Sequence, residues 1–275
     1  MDPVIQAIVI GIVQGLTEFL PVSSSAHLIV VPKVLHWDDP FLNGASFDVM
    51  LHAGTLVALL VYFWRDVVRL VRAGWAALRE RTVANDPDRR LAALIVVSVI
   101  PAALLGALFE SFFDTAFRER PLLVPALLVA GAVLLWAAEL IGTRQRGISD
   151  MQLADALVIG AAQAVALFPG ISRSGVTLAA GLVRGLRRED AARFAFLIGI
   201  PIILGATLWK LRRIVSEPLS NADVSALVAG MVAAAIAGLL AISFLLRYLR
   251  VHSTQVFILY RLASAAVVTV WLLVG

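Results

Sequence analysis

Cysteine is absent from the 275 residues, which excludes disulfides, thiolate metal sites and a cysteine nucleophile. Charge is scarce as well. Asp, Glu, Lys and Arg make up 15% of the chain against 60% apolar residues, and the mean hydropathy of +0.91 lies far outside the balance of a water-soluble globular protein. The basic excess, a formal +4, sits in short arginine patches between apolar runs rather than along one face. That pattern argues against nucleic acid and for membrane topology signals. A basic leader region is also missing: Met1, Asp2 and Pro3 precede the first apolar run and no small-residue cleavage site follows it, so that run is expected in the mature protein.

What is present in abundance is long apolar sequence. A bilayer core needs roughly 20 helical residues, and six segments qualify: about 47–64, 91–109, 122–141, 194–211, 224–246 and 256–273. Two further apolar stretches, about 4–35 and 153–183, are interrupted at their middles by Pro21, Val22, Ser23, Ser24 and Ser25, and by Pro169, Gly170, Ile171, Ser172, Arg173 and Ser174. Proline and glycine end helices and serine caps them, so each stretch predicts two half-helices around a break. Backbone freed at such a break must face protein or water, since lipid offers it no hydrogen bonds.

Displacing the chain against itself by 149 residues aligns 7–28 with 156–177 without a gap, with eight identities in twenty-two positions. Gly11 falls on Gly160, Gln14 on Gln163, Phe19 on Phe168, Ser23 on Ser172 and Ser25 on Ser174, so the breaks coincide. The expected fold is therefore an all-α polytopic membrane domain over 1–275, with repeat 1 at about 1–145 and repeat 2 at about 150–275. Each half holds one re-entrant helix hairpin plus three transmembrane helices, six full spans and two hairpins in all. Three crossings separate the hairpins; an odd number inverts the second half relative to the first. The 65–90 connection, with seven arginines against four acids, is expected in the cytoplasm, together with Arg144, Arg146, Arg184, Arg187, Arg188, Arg247 and Arg250. Asp38, Asp39 and the acidic 110–120 turn then lie outside; Lys210, Arg212 and Arg213 run against the rule.

The polar residues at the breaks are the candidates for chemistry. Gln14 and Glu18, four apart, share a helix face just before the first break, and a carboxylate at membrane depth marks a site. Ser23, Ser24, Ser25 and His27 follow, spaced so that hydroxyl and imidazole can converge; His27 could move a proton or attack phosphorus. Ser172, Arg173 and Ser174 open a half-helix whose free N–H groups favour an anion, with Thr177 one turn on, and arginine adds a planar fork suited to phosphate. Asp48, His52 and Thr55 fit either a cavity wall or interhelical hydrogen bonds. Glu110 and Glu139 read as interfacial span ends, and His36 and His252 as loop residues.

These residues carry a resemblance. QGLTEFLPVSSSAH at 14–27, PGISRSGVT at 169–177 and FDVMLHAGTL at 47–56 resemble the signatures of the undecaprenyl-diphosphate phosphatase (bacitracin-resistance protein) family of bacterial inner membranes, over the whole chain. The resemblance implies hydrolysis of undecaprenyl diphosphate to the monophosphate reused in peptidoglycan synthesis, a divalent metal, usually magnesium or calcium, and a site open to the periplasm. The family's paired acidic motif falls on Gln14 and Glu18, its histidine on His27 and its arginine motif on 169–174. Gln14 is the less acidic option, and Ser25-Ala26 stands where Thr-Gly occurs in some relatives. On this reading Glu18, His27, Ser24 and Arg173 are catalytic, Ser23, Ser172, Ser174 and Thr177 bind phosphate, and Glu18 and Gln14 hold the metal. The partners are the polyprenyl diphosphate substrate and membrane lipids, with no nucleic acid; oligomeric state, homo-oligomer included, is left open. The alternative from another class is a polyprenyl-phosphate flippase, because broken helices in inverted repeats are also a transporter architecture.

Overall fold

The computed structural model describes residues 2–83, 86–116, 123–214 and 220–274; at 45, 46, 110–116 and 210–214 only the backbone is described. The elements in order are α1 (Pro3–Phe19), α2 (Ser24–Val34), α3 (Ala45–Tyr62), α4 (Trp64–Glu80), α5 (Pro87–Ala116), α6 (Leu123–Ile141), a 3-10 turn at Ile148–Asp150, α7 (Leu153–Val165), α8 (Arg173–Val183), α9 (Arg188–Ile214), α10 (Asn221–Tyr248) and α11 (Gln255–Val274). Among the described residues α5, α6, α9, α10 and α11 are each long and apolar enough to cross a membrane, and α3 joins them as a sixth when taken with α4. The six spans read from composition fall on these helices.

Helix ends follow local chemistry. Asp2 accepts from the Val4 N–H at 2.7 Å and Pro3 opens α1, where its missing N–H costs nothing. Both breaks fall where the sequence places them. The residues that restart the chain, Ser23 and Ser172, adopt left-handed φ of 76° and 72°, a conformation uncommon for any residue but glycine and strained for serine. The helices that follow, α2 and α8, have 11 residues each.

One expectation needs correction. The 65–90 stretch is not a plain connection: Trp64–Glu80 forms α4, bent 82° from α3 and packed against α5. Its aromatic and aliphatic residues recur at helical spacing among the arginines, and the arginines hid them.

The remaining helices pack through small residues, as membrane helices do in the absence of a hydrophobic drive between them. On α1, Gly11 and Gly15 lie against Gly230, Ala234 and Gly238 of α10. α5 meets α7 through Ser98, which donates to the Ala156 carbonyl at 3.0 Å and accepts from Gln163 Nε2 on its own carbonyl at 3.4 Å. At one end of the bundle, buried Asp155 accepts from Arg146 and from Arg184, each at 2.6 Å. Glu139, near the end of α6, is a half-buried junction taking Arg188 at 2.7 Å, Arg144 at 3.0 Å and the Thr254 N–H at 2.8 Å. The side chains of 110–120 and of Lys210, Arg212 and Arg213 lie outside the described residues.

Candidate active site

The two breaks touch. Ser174 Oγ donates to the Leu20 carbonyl at 3.1 Å, so the start of α8 is fastened to the end of α1. Beneath both breaks lies Arg261 of α11, fully buried, which donates to Pro21 O (3.2 Å) in the first and to Gly170 O (2.7 Å) and Ile171 O (3.1 Å) in the second, with Leu128 O (3.2 Å) as a fourth acceptor. Carbonyls freed at helix C-termini carry partial negative charge, so a guanidinium satisfies their hydrogen bonds and their electrostatics together. Gly131 leaves the room: a Cβ there would strike the Arg261 fork.

Over this base, Glu18 is the centre of the site. The carboxylate is buried; Oε1 accepts from Arg173 at 2.9 Å, and Oε2 accepts from Ser24 Oγ at 2.6 Å and from Gln14 Nε2 at 3.2 Å. His52 Nε2 lies 3.5 Å from the same Oε2. The Asp48 carbonyl, 2.7 Å from His52 Nδ1, can only accept, so Nδ1 carries the proton and Nε2 faces the carboxylate. Arg173 reaches Glu18 past Gly199 of α9, where a Cβ would collide with the guanidinium.

These groups open on a cavity of about 290 Å³ walled by Glu18, Ser23, Ser24, Ser25, Ser172 and Arg173, with His52 on one flank and the apolar Val49, Ile202 and Ile203 on another. Ser23 and Ser25 pair their hydroxyls at 3.2 Å, and so do Ser172 and Ser174. Ser172 caps α8 by accepting from the Gly175 N–H at 3.2 Å.

Three residues singled out in the sequence sit elsewhere. His27 does not converge with the Ser24 hydroxyl: Nδ1 donates to Ser23 O at 2.7 Å, Nε2 meets the Tyr260 hydroxyl at 2.8 Å, and the ring lines a separate apolar cavity between α2 and α11. Thr177 is buried with its hydroxyl on Arg173 O at 2.6 Å, and Ser174 is turned to Leu20; both stand behind the cavity wall. Conversely, sequence reading missed Arg261, left His52 undecided and passed over Thr207, a cavity-lining residue whose buried hydroxyl has no hydrogen-bond partner among the described residues. An arginine inside the apolar run 256–273 was a readable signal for the first.

The donor set also bears on a metal. Among the described residues Gln14 Oε1 is buried without a partner beside the Glu18 carboxylate, an acceptor suited to a cation. Among the described residues no group of three or more His, Asp or Glu forms a closed cage. One carboxylate and one amide oxygen fit an ion of the magnesium type, which keeps water and substrate phosphate oxygens as its other ligands.

The fold and the site define a polytopic helical membrane protein whose two broken helical elements join an arginine, a carboxylate and hydroxyls in one cavity. The chain belongs to the family described as Bacitracin resistance protein BacA, which matches residues 7–267. It is 46% identical over 265 residues to the undecaprenyl-diphosphatase of Moorella thermoacetica, covering 96% of each chain. It is 44% identical over 274 residues to that of Rubrobacter xylanophilus, covering 99% of this chain and all of the relative. With the Thermomicrobium roseum undecaprenyl-diphosphatase the identity is 44% over 268 residues, 95% of each.

Proposed function

We propose that the chain hydrolyses undecaprenyl diphosphate to undecaprenyl phosphate and inorganic phosphate, returning the lipid carrier to cell-wall synthesis, and that the cavity at the breaks is where it does so. The observation that carries the site is the Ser24–Glu18–Arg173 constellation. A hydroxyl 2.6 Å from a carboxylate is a nucleophile with its base in reach, and a guanidinium on the far oxygen of that carboxylate is a cation where a phosphate must sit.

In the proposed reaction Ser24 Oγ attacks the terminal phosphorus and gives its proton to Glu18 Oε2. The O–P bond to Oγ forms as the bond from that phosphorus to the bridging oxygen breaks, and the lipid monophosphate leaves. Water, deprotonated by the same carboxylate after its proton has passed to solvent, then cleaves the phosphoserine and frees phosphate. Arg173, the N–H groups opening α8 and the hydroxyls of Ser23, Ser25 and Ser172 bind the charge that spreads over the phosphoryl oxygens. Ser174 and Thr177 hold the α8 N-terminus in place, and His27, through Ser23 O and Tyr260, holds the first break. Glu18 and Gln14 would bind a divalent cation, which when present would neutralise charge on the diphosphate. The apolar wall of Val49, Ile202 and Ile203 suits the first isoprene unit, with the tail continuing into lipid.

The same reading includes an inverted repeat with two re-entrant hairpins. α2 and α8, at 11 residues, reach only about 17 Å at 1.5 Å per residue and cannot cross a hydrocarbon core of about 30 Å. The packing exchanges the halves: α1 on α10 mirrors α7 on α5, while α3 with α9 and α6 with α11 pair like with like. The cavity residues of α9, 202–207, lie some 20 Å along the helix from Arg188 and Arg193 at its arginine-rich end. By the positive-inside rule that end is cytoplasmic in the bacterial inner membrane, and the cavity faces the periplasm.

Phosphate release from polyprenyl diphosphate by the purified protein in detergent tests the assignment. Arg173→Ala and Glu18→Ala are each expected to lower kcat/KM by about a thousandfold or more. Undiminished release by either variant overturns the site. Movement of the lipid between leaflets without phosphate release would instead favour a flippase.

A further inference from the structure

The cytoplasmic-end helix α4 has no counterpart in the second half. The start of α2 and that of α8 are 149 residues apart, Ser24 to Arg173, whereas α6 and α11 start 132 apart, Leu123 to Gln255. The difference of 17 residues equals the length of α4. What the first half gained is a helix with three distinct faces. Leu70 is buried and, with Val67, packs into the main core beside Leu94 of α5. Trp64, Val71, Trp75 and Leu78 share one stripe within about 60° of arc at 100° per residue, and they are exposed, Trp75 by 71% and Leu78 by 76%. Arg65, Arg72 and Arg79 line up along one flank of that stripe.

Those three arginines differ from most of the arginines at this end of the bundle. Arg69, Arg89, Arg144, Arg146, Arg184, Arg187, Arg188, Arg193 and Arg250 each bond a carboxylate. Among the described residues Arg65, Arg72 and Arg79 have no such partner, and all three are exposed. A groove of about 480 Å³ runs along Trp64, Arg65, Val68, Arg69 and Arg72. With α3 taken as a span, its 18 residues reaching about 27 Å at 1.5 Å per residue, the 82° bend sets α4 close to the plane of the membrane.

We infer that α4 is an interfacial helix that binds anionic lipid headgroups: its Trp64–Leu78 stripe enters the acyl boundary, and Arg65, Arg72 and Arg79 hold headgroup phosphates from the side. The chemistry is complementary on each face. Tryptophans prefer the boundary, arginine stems reach along it to charge, and unpaired guanidiniums next to an apolar stripe have their counterions in an acidic leaflet. The inference needs only the membrane fold and stands apart from the reaction.

Because the chain has no cysteine, Trp75→Cys gives a unique site for a fluorescent label, and Leu78→Cys gives a second if the loss of Trp75 matters. The labelled full-length protein is placed in vesicles of phosphatidylcholine with 30% phosphatidylglycerol, with nitroxide quencher carried by one lipid or the other, or with iodide in the water. Lipid-borne quencher is expected to dominate over iodide, and the phosphatidylglycerol form over the phosphatidylcholine form. Arg65→Gln, Arg72→Gln and Arg79→Gln should reduce that preference by up to about fivefold per arginine, with phosphate release in detergent unchanged. Dominant iodide quenching, protection from all quenchers as under a second protein, or equal quenching by the two lipids would each overturn it.

Discussion

The two breaks share a backbone and differ in chemistry. Each stops a helix, sets a serine at left-handed φ, pairs that serine's hydroxyl with the serine two residues on at 3.2 Å, and starts an 11-residue helix. At equivalent positions, however, Glu18 stands opposite Leu167, Ser24 opposite Arg173 and His27 opposite Val176. Among the described residues Gln14 and Gln163 each leave Oε1 unpartnered, yet only Gln14 is followed four residues later by a carboxylate. One break thus supplies the anion and the hydroxyl, and the other the cation. A site built from both can hold opposite charges within one hydrogen bond of each other without placing either against lipid, because each charge satisfies the other's need for a partner. Strain at Ser23 and Ser172 is part of the cost of making both turns tight.

The sharpest way to break the comparison is to remove the hydroxyl that only the first break presents to Glu18. Ser24→Ala, if Ser24 is the nucleophile, should lower kcat by about ten thousandfold or more and abolish any trapped phosphoserine. A loss of only about tenfold would move the attack to water and leave Ser24 as a phosphate donor. Ser25→Ala, whose hydroxyl bonds Ser23 rather than the carboxylate, should cost far less.

Arg261 tests what the two breaks have in common, since it bonds carbonyls of both. Arg261→Met would strand the three break carbonyls of Pro21, Gly170 and Ile171, and is expected to destabilise the protein by about 3 kcal/mol, read as a lower melting temperature in detergent. Arg261→Lys should recover part of that loss. Full stability in the methionine variant would mean that the breaks are held by Ser174 and the ion pair alone.

The sequence made half of this legible, and the divide is physical. Spans show because apolar length is a local property, and the breaks show because Pro21, Pro169, Gly170 and the serines act on the backbone where they stand. The 149-residue displacement found in the sequence returns as two helices of equal length. Contacts across the chain are another matter. His27 and Tyr260 are 233 residues apart, so no local pattern could reveal that this imidazole is engaged away from Ser24. α4 was hidden because its arginines lowered its apolar content even as its stripe kept helical spacing.

Thr207 offers the smallest effect and the cleanest separation of roles. A threonine in a buried helix ordinarily returns its hydroxyl to a carbonyl one turn back, as Thr17 does to Val13 at 2.6 Å, Thr177 to Arg173 at 2.6 Å and Thr269 to Ala265 at 2.8 Å. Thr207 forgoes that bond although it is more than nine-tenths buried, and it is one of the residues lining the cavity that both breaks share. A hydroxyl left without a partner at such a place has an acceptor to gain when a diphosphate enters. Thr207→Val keeps the shape and deletes the hydrogen bond, so kcat/KM should fall by about tenfold, as for one neutral hydrogen bond lost. Stability should hold or rise, because the apoprotein loses only an unsatisfied group. Unchanged kinetics would confine substrate contact to the two breaks, and a drop in melting temperature without a kinetic effect would make Thr207 a packing residue of α9.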